Sequence, residues 1–375
     1  MHFRDLTTQY NNLKPEIDKA IQEVIDSAKF ILGTPVTELE TVLAAYVGVK
    51  HCITCANGTD AITLVLRAWG IGSGDAVFVP DFTYIATASS LAVLGAEPVF
   101  VDIDSRTFNI SPDALELAIN TIIREEKLTP KAIIPVDLFG LPADYEKISK
   151  IAEKYDLLLL EDGAQGFGSV FNGQRACSFG DAATTSFFPA KPLGCYGDGG
   201  AIFTNDDILR DNLKMLRING ASLEDKYDNK IIGVNSRLDS IQAAVLLVKM
   251  NVFDDELDKV NRTANRYSDR LGDLVATPCI PYGYLSSWAQ YTVVLPDKTT
   301  RDILQSELKA VNIPTMVYYP KPLHRQTAFS RLDFRDDDFP NTIKMSECVL
   351  SLPMHPYISN KDIDTVCNGI KSILH

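Results

Sequence analysis

From about residue 14 to residue 250, short runs of β-branched and aliphatic residues alternate with amphipathic stretches of helical period, and this alternation leaves few folds open. Strand, helix and strand in repetition are the mark of βα units, whose strands lie parallel and whose crossover helices pack back on the sheet. The pattern predicts strands at 51–55, 76–79, 98–102, 132–136 and 157–161, with helices at 35–46, 59–69, 84–94, 112–126 and 144–155. The first of these helices opens on Thr34-Pro35, and Thr37 stands three residues before Glu40, which predicts a capping box. The run from Leu157 to Leu160 is apolar without alternation, as in a strand covered on both faces.

Beyond residue 250 the texture changes to a helix at 253–271, a region holding Pro278 and Pro281, a strand at 290–295, a helix at 301–310 and a last helix from about 360. A chain of 375 residues exceeds one typical core. The expected division is therefore a large domain over 1–250, with an N-terminal segment free to pack on the small domain, and a smaller α+β domain over 251–375.

Thirty-six Lys and Arg against 49 Asp and Glu give a net charge of -13, which argues against nucleic acid and anionic membranes as partners. The opening MHFRDLTTQYNNLK lacks the apolar core of a signal peptide, and no run approaches 18 apolar residues, so the expected location is the cytoplasm. Seven cysteines at scattered spacings fit reduced thiols. Cys52 and Cys55 form a lone CxxC without a second Cys or His pair, which reads as strand residues rather than a zinc or redox site; no metal is expected.

In open α/β sheets ligands bind beyond the carboxyl ends of the strands, and the polar residues there carry the chemistry. Lys191 stands in Ser186-Phe-Phe-Pro-Ala-Lys-Pro-Leu-Gly194, a tight loop rich in proline and glycine. It is either a surface lysine in a turn or an amine partly desolvated against a ligand, where a lowered pKa makes it a nucleophile. Asp162 ends a buried run, so it is a helix cap, half of a buried salt bridge, or the partner of a cation such as a protonated pyridine nitrogen. Gly58-Thr59-Asp60, between a strand and a helix, reads equally as a plain N-cap or as a phosphate cradle, with Ser186 offering a further hydroxyl. Tyr84, at another strand end, is a core tyrosine or a face for stacking on a ring. A phosphate cup, a stacking aromatic, an acid for a pyridinium and a lysine together describe pyridoxal 5'-phosphate (PLP).

The stretches CANGTDAI (55–62), VPDFTYIATASSLAVLGAEPVFVDID (79–104), PVDLFGLPADY (135–145), EDGAQGFGS (161–169), SFGDAATTSFFPAKPLGCYGDGGAIFTND (178–206), GVNSRLDSIQAAVL (233–246) and YYPKPLH (318–324) resemble the DegT/StrS family of sugar-nucleotide aminotransferases over most of the chain. The resemblance implies the fold type I PLP architecture, with a mostly parallel seven-stranded sheet, and a homodimer whose active sites are shared between subunits. It implies Lys191 as the Schiff-base lysine, Asp162 as partner of the ring nitrogen, Gln165 near the ring hydroxyl and Tyr84 as the stacking aromatic. Thr59 and Ser186, with Gly58 and Asp60 beside them, would bind phosphate, and Asn235 would reach it from the other subunit. Arg237, Tyr319 and His324 match positions near the substrate, although Arg237 fits a salt bridge with Asp239 and His324 a structural role as well. Members with histidine in place of the lysine perform dehydration, so Lys191 favours transamination. One departure is Asp137, where the family often has histidine.

The implied reaction is transfer of the amino group of L-glutamate, leaving 2-oxoglutarate, to a UDP- or dTDP-linked keto sugar. The form of these stretches leans toward UDP-2-acetamido-2-deoxy-3-oxo sugars of the 3-oxoglucuronate type, serving O-antigen or other glycan synthesis, with a C4-keto sugar as the alternative. Two other classes stay in view. A nicotinamide-dependent dehydrogenase shares the βα pattern, but Gly70-Ile-Gly72-Ser-Gly74 joins helix to strand, the reverse of the dinucleotide fingerprint. A PLP-binding regulatory protein is the other; no DNA-binding module is visible in the sequence.

Overall fold

The computed structural model describes residues 1–374. Along the chain run α1 (Leu6–Ser27), α2 (Thr34–Val47), β1 (His51–Cys55), α3 (Gly58–Ala68), β2 (Asp75–Pro80), α4 (Ala86–Ala92), β3 (Glu97–Val101), α5 (Pro112–Glu125), β4 (Thr129–Ile133), α6 (Tyr145–Tyr155) and β5 (Leu158–Asp162). There follow the two-residue strands β6 (Val170–Phe171) and β7 (Gln174–Arg175), then β8 (Ala182–Ser186), β9 (Gly200–Thr204), α7 (Asp207–Leu216), α8 (Ser240–Met250) and α9 (Phe253–Leu271). The chain closes with β10 (Tyr284–Leu285), β11 (Tyr291–Val294), α10 (Lys298–Ala310), α11 (Pro340–Cys348), β12 (Val349–Leu352) and α12 (Asn360–Leu374).

Seven strands form one sheet in the order β1-β9-β8-β5-β4-β2-β3. The sheet is mostly parallel, and β9 is the exception, running antiparallel to both β1 and β8. Helices cover both faces. On one, Ile53, Val77 and Ile202 pack with Ile62, Leu66, Leu91 and Leu213 of α3, α4 and α7. On the other, Cys52, Ala183 and Phe203 pack with Leu39, Leu43 and Leu246 of α2 and α8. This two-sided burial is why the strands are apolar at consecutive positions. It also places Cys52 and Cys55 in separate cores on opposite faces of β1, where neighbouring strand residues point apart.

Beyond residue 250, β11 and β12 pair antiparallel and share a core of Tyr267, Tyr291, Leu304, Leu350 and Val366 with α9, α10 and α12. Among the described residues no helix is long and apolar enough to cross a membrane.

Two expectations need correction. The expected capping box is absent: Gly33 is the N-cap of α2 and caps with no side chain, while Glu40 accepts from Thr54 N at 2.9 Å and from Arg217 Nη1 at 2.5 Å. An ion pair with a buried arginine holds the carboxylate more strongly than one N–H of its own helix would. The N-terminal stretch, not anticipated as a helix, forms the 22-residue α1 despite Pro15 within it, capped by Asp5, which accepts from Thr8 N at 2.9 Å. Its stability comes from packing, with Leu13 and Ile17 against Val245 of α8.

Candidate active site

The register of the sheet gathers the sequence candidates in one row. Cys55 of β1 lies opposite Gly200 of β9, Gly200 opposite Ser186 of β8, and Asp162 of β5 pairs with Thr184. The strands β1, β5 and β8 therefore end together, and the loops beyond them converge.

Helix α3 starts directly over this row, and two glycines permit it. A Cβ on Gly200 would stand 2.5 Å from the carbonyl carbon of Asn57, and one on Gly58 would stand 2.7 Å from Ser186 Cβ. Real Cβ contacts do not occur at such distances, so only glycine lets the helix start lie this close to the strand ends. Asn57, not the Gly58-Thr59-Asp60 triplet, is the N-cap, its side chain accepting from Asp60 N at 2.8 Å. The N–H groups of Gly58 and Thr59 lie in the first turn, where an α-helix supplies no acceptor. They sit beside the Ser186 hydroxyl at the positive end of the helix dipole, which is the arrangement that holds a phosphate. Asp60 serves another purpose: its Oδ2 accepts from Ser236 Oγ at 2.7 Å and ties the strand-end helix to the 233–238 segment.

Asp162 is 5% exposed and forms no ion pair with any described residue. Thr87 Oγ1 donates to its Oδ2 at 2.8 Å and Ala164 N to its Oδ1 at 3.2 Å. Burial pushes this carboxyl above its ordinary range, against the Thr87 bond and the nearby positive charge of Lys191. Its hydrogen-bond donors are neutral, and a protonated ring nitrogen would supply a cation in direct contact.

Lys191 lies in a loop closed by hydrogen bonds from Phe187 N to Gly199 O and from Cys195 N to Phe187 O, each 2.8 Å. Its own N–H donates to Phe188 O at 2.8 Å, and Arg4 Nη2 donates to its carbonyl at 2.9 Å. Burial lowers the pKa of its amine and the Arg4 charge lowers it further, while Asp162 opposes both. Lys191 is half-buried in a loop tied at both its N–H and its carbonyl, a more constrained setting than a surface turn.

Gln165 bridges two parts of the chain. Its Oε1 accepts from Phe139 N at 2.7 Å, and its Nε2 donates to the Tyr319 hydroxyl at 3.1 Å. The Tyr319 ring packs edge-on against Phe82 with centroids 6.1 Å apart and lies 6.4 Å from Tyr84. Tyr84 is 57% exposed, so it is not a core tyrosine, and its ring is open to a ligand.

Three further candidates have different surroundings. Asn235 is exposed and meets Ile218 through its backbone, while Arg237 is half-buried and pairs with no acid among the described residues, Asp239 included. His324, expected near the substrate, is enclosed: its side chain is 3% exposed and stacks on Phe339 at 4.7 Å. Its Nδ1 lies 2.6 Å from Asp81 Oδ2 and its Nε2 3.1 Å from Asp336 Oδ1, so both nitrogens are engaged by the protein. Buried imidazole paired twice with carboxylates fits a structural role.

Sequence reasoning missed Thr87 and Arg4. Thr87 had a signal, since it follows Tyr84 by three residues at a strand end. Arg4 had none, because its contact with Lys191 spans 187 positions.

The site fits PLP: a phosphate cradle, an acid wanting a cation, an open aromatic face and an amine of lowered pKa share one end of the sheet. The description "DegT/DnrJ/EryC1/StrS aminotransferase family" matches residues 11–371. The chain is 46% identical, over 99% of both chains, to a Pseudomonas aeruginosa protein named UDP-2-acetamido-2-deoxy-3-oxo-D-glucuronate aminotransferase. It is 45% identical, over 98% of this chain and 96% of the other, to a Geobacillus stearothermophilus protein named pleiotropic regulatory protein. Among solved structures, a DegT DnrJ EryC1 StrS aminotransferase from Brucella abortus superposes with a TM-score of 0.97 at 47% identity, over 100% of this chain and 99% of that one. With its family model matched over nearly its full length, the chain belongs to the DegT/DnrJ/EryC1/StrS aminotransferase family.

Proposed function

We propose that this protein is a PLP-dependent aminotransferase that moves the amino group of L-glutamate to the ketone of a nucleotide-linked sugar, and that the sugar is a UDP-linked 2-acetamido-2-deoxy-3-oxo hexose. The observation that carries the reading is the meeting of Lys191 and Asp162, one from a loop after β8 and one from the end of β5, beside the free first turn of α3. The name of the Pseudomonas aeruginosa relative supports the choice of sugar.

PLP, when bound, supplies an electron sink for chemistry at the carbon bearing the amine. Gly58 and Thr59 N–H and the Ser186 hydroxyl hold its phosphate, and the α3 dipole favours the negative charge. Asp162, oriented by Thr87, supplies the charge that keeps the ring nitrogen protonated. Tyr84 would cover one ring face, and Gln165, fixed by Phe139 N and Tyr319, would serve the ring hydroxyl. Lys191 would anchor the cofactor and, when released, would take and return the proton at the reacting carbon; burial lowers the pKa of its amine, which favours the free base that this role needs. Asn235 would reach the phosphate from the other subunit of a homodimer, and Arg237, which pairs with no acid among the described residues, would meet the anionic part of the sugar nucleotide. Tyr319 lines the substrate side, while His324 holds the loop that carries it.

We also read the chain as a large unit over 1–250 and a small one over 251–375, on the ground that β11, β12, α9, α10 and α12 share their own core. The seven unpaired cysteines fit a cytoplasmic location.

A second reading, a PLP-binding regulator, draws on the name of the Geobacillus stearothermophilus relative. Turnover separates the two. The purified protein is followed by absorbance with L-glutamate and then with UDP- and dTDP-linked 3-keto and 4-keto sugars. A spectral change with glutamate, reversed by a UDP-linked 3-keto sugar and abolished in Lys191→Ala, is the expected result. Reversal by a 4-keto sugar alone would move the assignment to that class, and bound PLP without turnover on any sugar would favour the regulator.

A further inference from the structure

Two cations outside the proposed chemistry, half-buried Arg4 and buried Lys249, hold the loop that carries Lys191. Arg4 Nη2 donates to the Lys191 carbonyl at 2.9 Å, and Lys249 Nζ donates to the Gly194 carbonyl at 2.6 Å. Lys249 is 2% exposed and lies 4.3 Å from the centroid of the Tyr196 ring. One cation comes from the segment before α1 and the other from the last turn of α8, two helices packed along each other. Their acceptors are the two ends of the four-residue stretch from Lys191 to Gly194.

Burying an ammonium against a neutral carbonyl is costly unless a counter-charge is near. Glu256 is that counter-charge: it is buried, faces both Arg4 and Lys249, and is itself fixed by Gln9 Nε2 at 2.9 Å and by the Tyr357 hydroxyl. A loop that needed only to be closed would be served by its own backbone bonds. Here two carbonyls of one loop are gripped by charges brought from elements more than 50 and 180 positions away.

We propose that Arg4 and Lys249 are positioning residues for Lys191: a pair of cations, with Glu256 as their shared counter-charge, that clamp the carbonyls at both ends of Lys191–Gly194 and so fix the lysine amine opposite Asp162. The inference rests on the reading of Lys191 as the reacting amine. It adds an electrostatic role for Arg4, whose guanidinium stands 2.9 Å from the Lys191 carbonyl oxygen and whose fixed charge so close to that residue disfavours its ammonium form. The charged and titratable groups around the clamp are Asp162 and Arg4 facing Lys191, Glu256 and Tyr318 facing Arg4, and Glu256, Cys195 and Arg4 facing Lys249.

The test measures Lys191 directly. The full-length protein, freed of cofactor, is labelled with a trace of acetic anhydride across a pH series, and acetylation of Lys191 is quantified by mass spectrometry. Arg4→Met is expected to raise the labelling midpoint by about one pH unit, the scale of a neighbouring charge. Arg4→Lys, which keeps the charge, is expected to return it to the wild-type value. Lys249→Met should leave the midpoint in place but speed amide hydrogen exchange over residues 187–199 by about tenfold, as loss of a local tether does. In the holoenzyme, Arg4→Met should lower kcat by about tenfold with KM for glutamate within about twofold. A midpoint unmoved in Arg4→Met, or exchange unchanged in Lys249→Met, would overturn the clamp. Turnover retained in Lys191→Ala would instead overturn the role of Lys191, and the labelling shift would still stand.

Discussion

Alanine at position 58 tests the phosphate cradle through a single methyl group. The added Cβ would stand 2.7 Å from Ser186 Cβ, 3.2 Å from its Oγ and 3.3 Å from its Cα. Carbon atoms pack at about 3.5 to 4.0 Å, so the overlap with the end of β8 is close to 1 Å. Gly58 does not have the left-handed backbone that would bar a side chain, and alanine inside a helix otherwise gains roughly 0.5–1 kcal/mol over glycine. Overpacking of this kind costs about 1–3 kcal/mol, so the clash outweighs the gain. Relief requires either the start of α3 or Ser186 to shift, and both movements pull the Gly58 and Thr59 N–H groups away from the Ser186 hydroxyl. Gly58→Ala should therefore raise the Kd for PLP by about tenfold, which corresponds to about 1.4 kcal/mol. Gly72→Ala is the control, because its added Cβ would meet only Leu94 O at 3.5 Å, an ordinary contact. Equilibrium binding of PLP and of pyridoxal, which lacks the phosphate, separates the cradle from general damage. The reasoning is refuted if Gly58→Ala binds PLP as tightly as the wild type, or if affinity for pyridoxal falls by the same factor.

Thr87→Val keeps the shape of the side chain but removes the 2.8 Å bond to Asp162; kcat should fall by about tenfold with stability changed by about 1 kcal/mol, checked by steady-state kinetics and denaturant unfolding. For His324, burial lowers the pKa, but the bonds to Asp81 and Asp336 outweigh it and the net shift is upward. Burial also pushes the Asp81 carboxyl up against the same bond, and the second carboxylate, Asp336, decides the proton for the imidazole. A group whose pKa is raised on folding gives its full stabilisation below its unfolded value near 6.5 and loses it as pH rises through the folded one. The stability gap between wild type and His324→Phe should then be widest near pH 6 and shrink toward pH 9; a gap that widens with pH would disprove the pairing. Asp137 and Glu161 are both fully buried, and burial pushes both acids up; Asp137 raises Glu161 further, while the hydrogen bond with Glu161 holds Asp137 back. An acid raised on folding takes stability away as pH climbs from its unfolded value near 3.9 through the folded one. Asp137→Asn keeps an acceptor for Ala143 N and the Tyr145 hydroxyl and should lose stability less steeply than wild type between pH 5 and pH 8, measured by urea unfolding.

The elements of this protein are legible in its sequence because their signals are local. The predicted strand at 51–55 and helix at 253–271 match β1 and α9 residue for residue, and the other βα units fall within a few positions. Apolar runs bounded by turn residues encode strands buried on both faces, and that pattern needs no knowledge of the partner. The candidates Lys191, Asp162 and Tyr84 stand out on local signals too, Lys191 from its loop of proline and glycine and the other two from their places at strand ends. Short-range signals misled where another partner competed: Glu40 left the expected capping box for Thr54 and Arg217, and Asn57 took the cap from its neighbours. What only the tertiary structure decided is which strand lies beside which, that β9 runs against its neighbours, and that Arg4 reaches a carbonyl 187 positions away. Periodicity records which face of an element avoids water; the identity of the surface it meets is set by the packing of the whole chain.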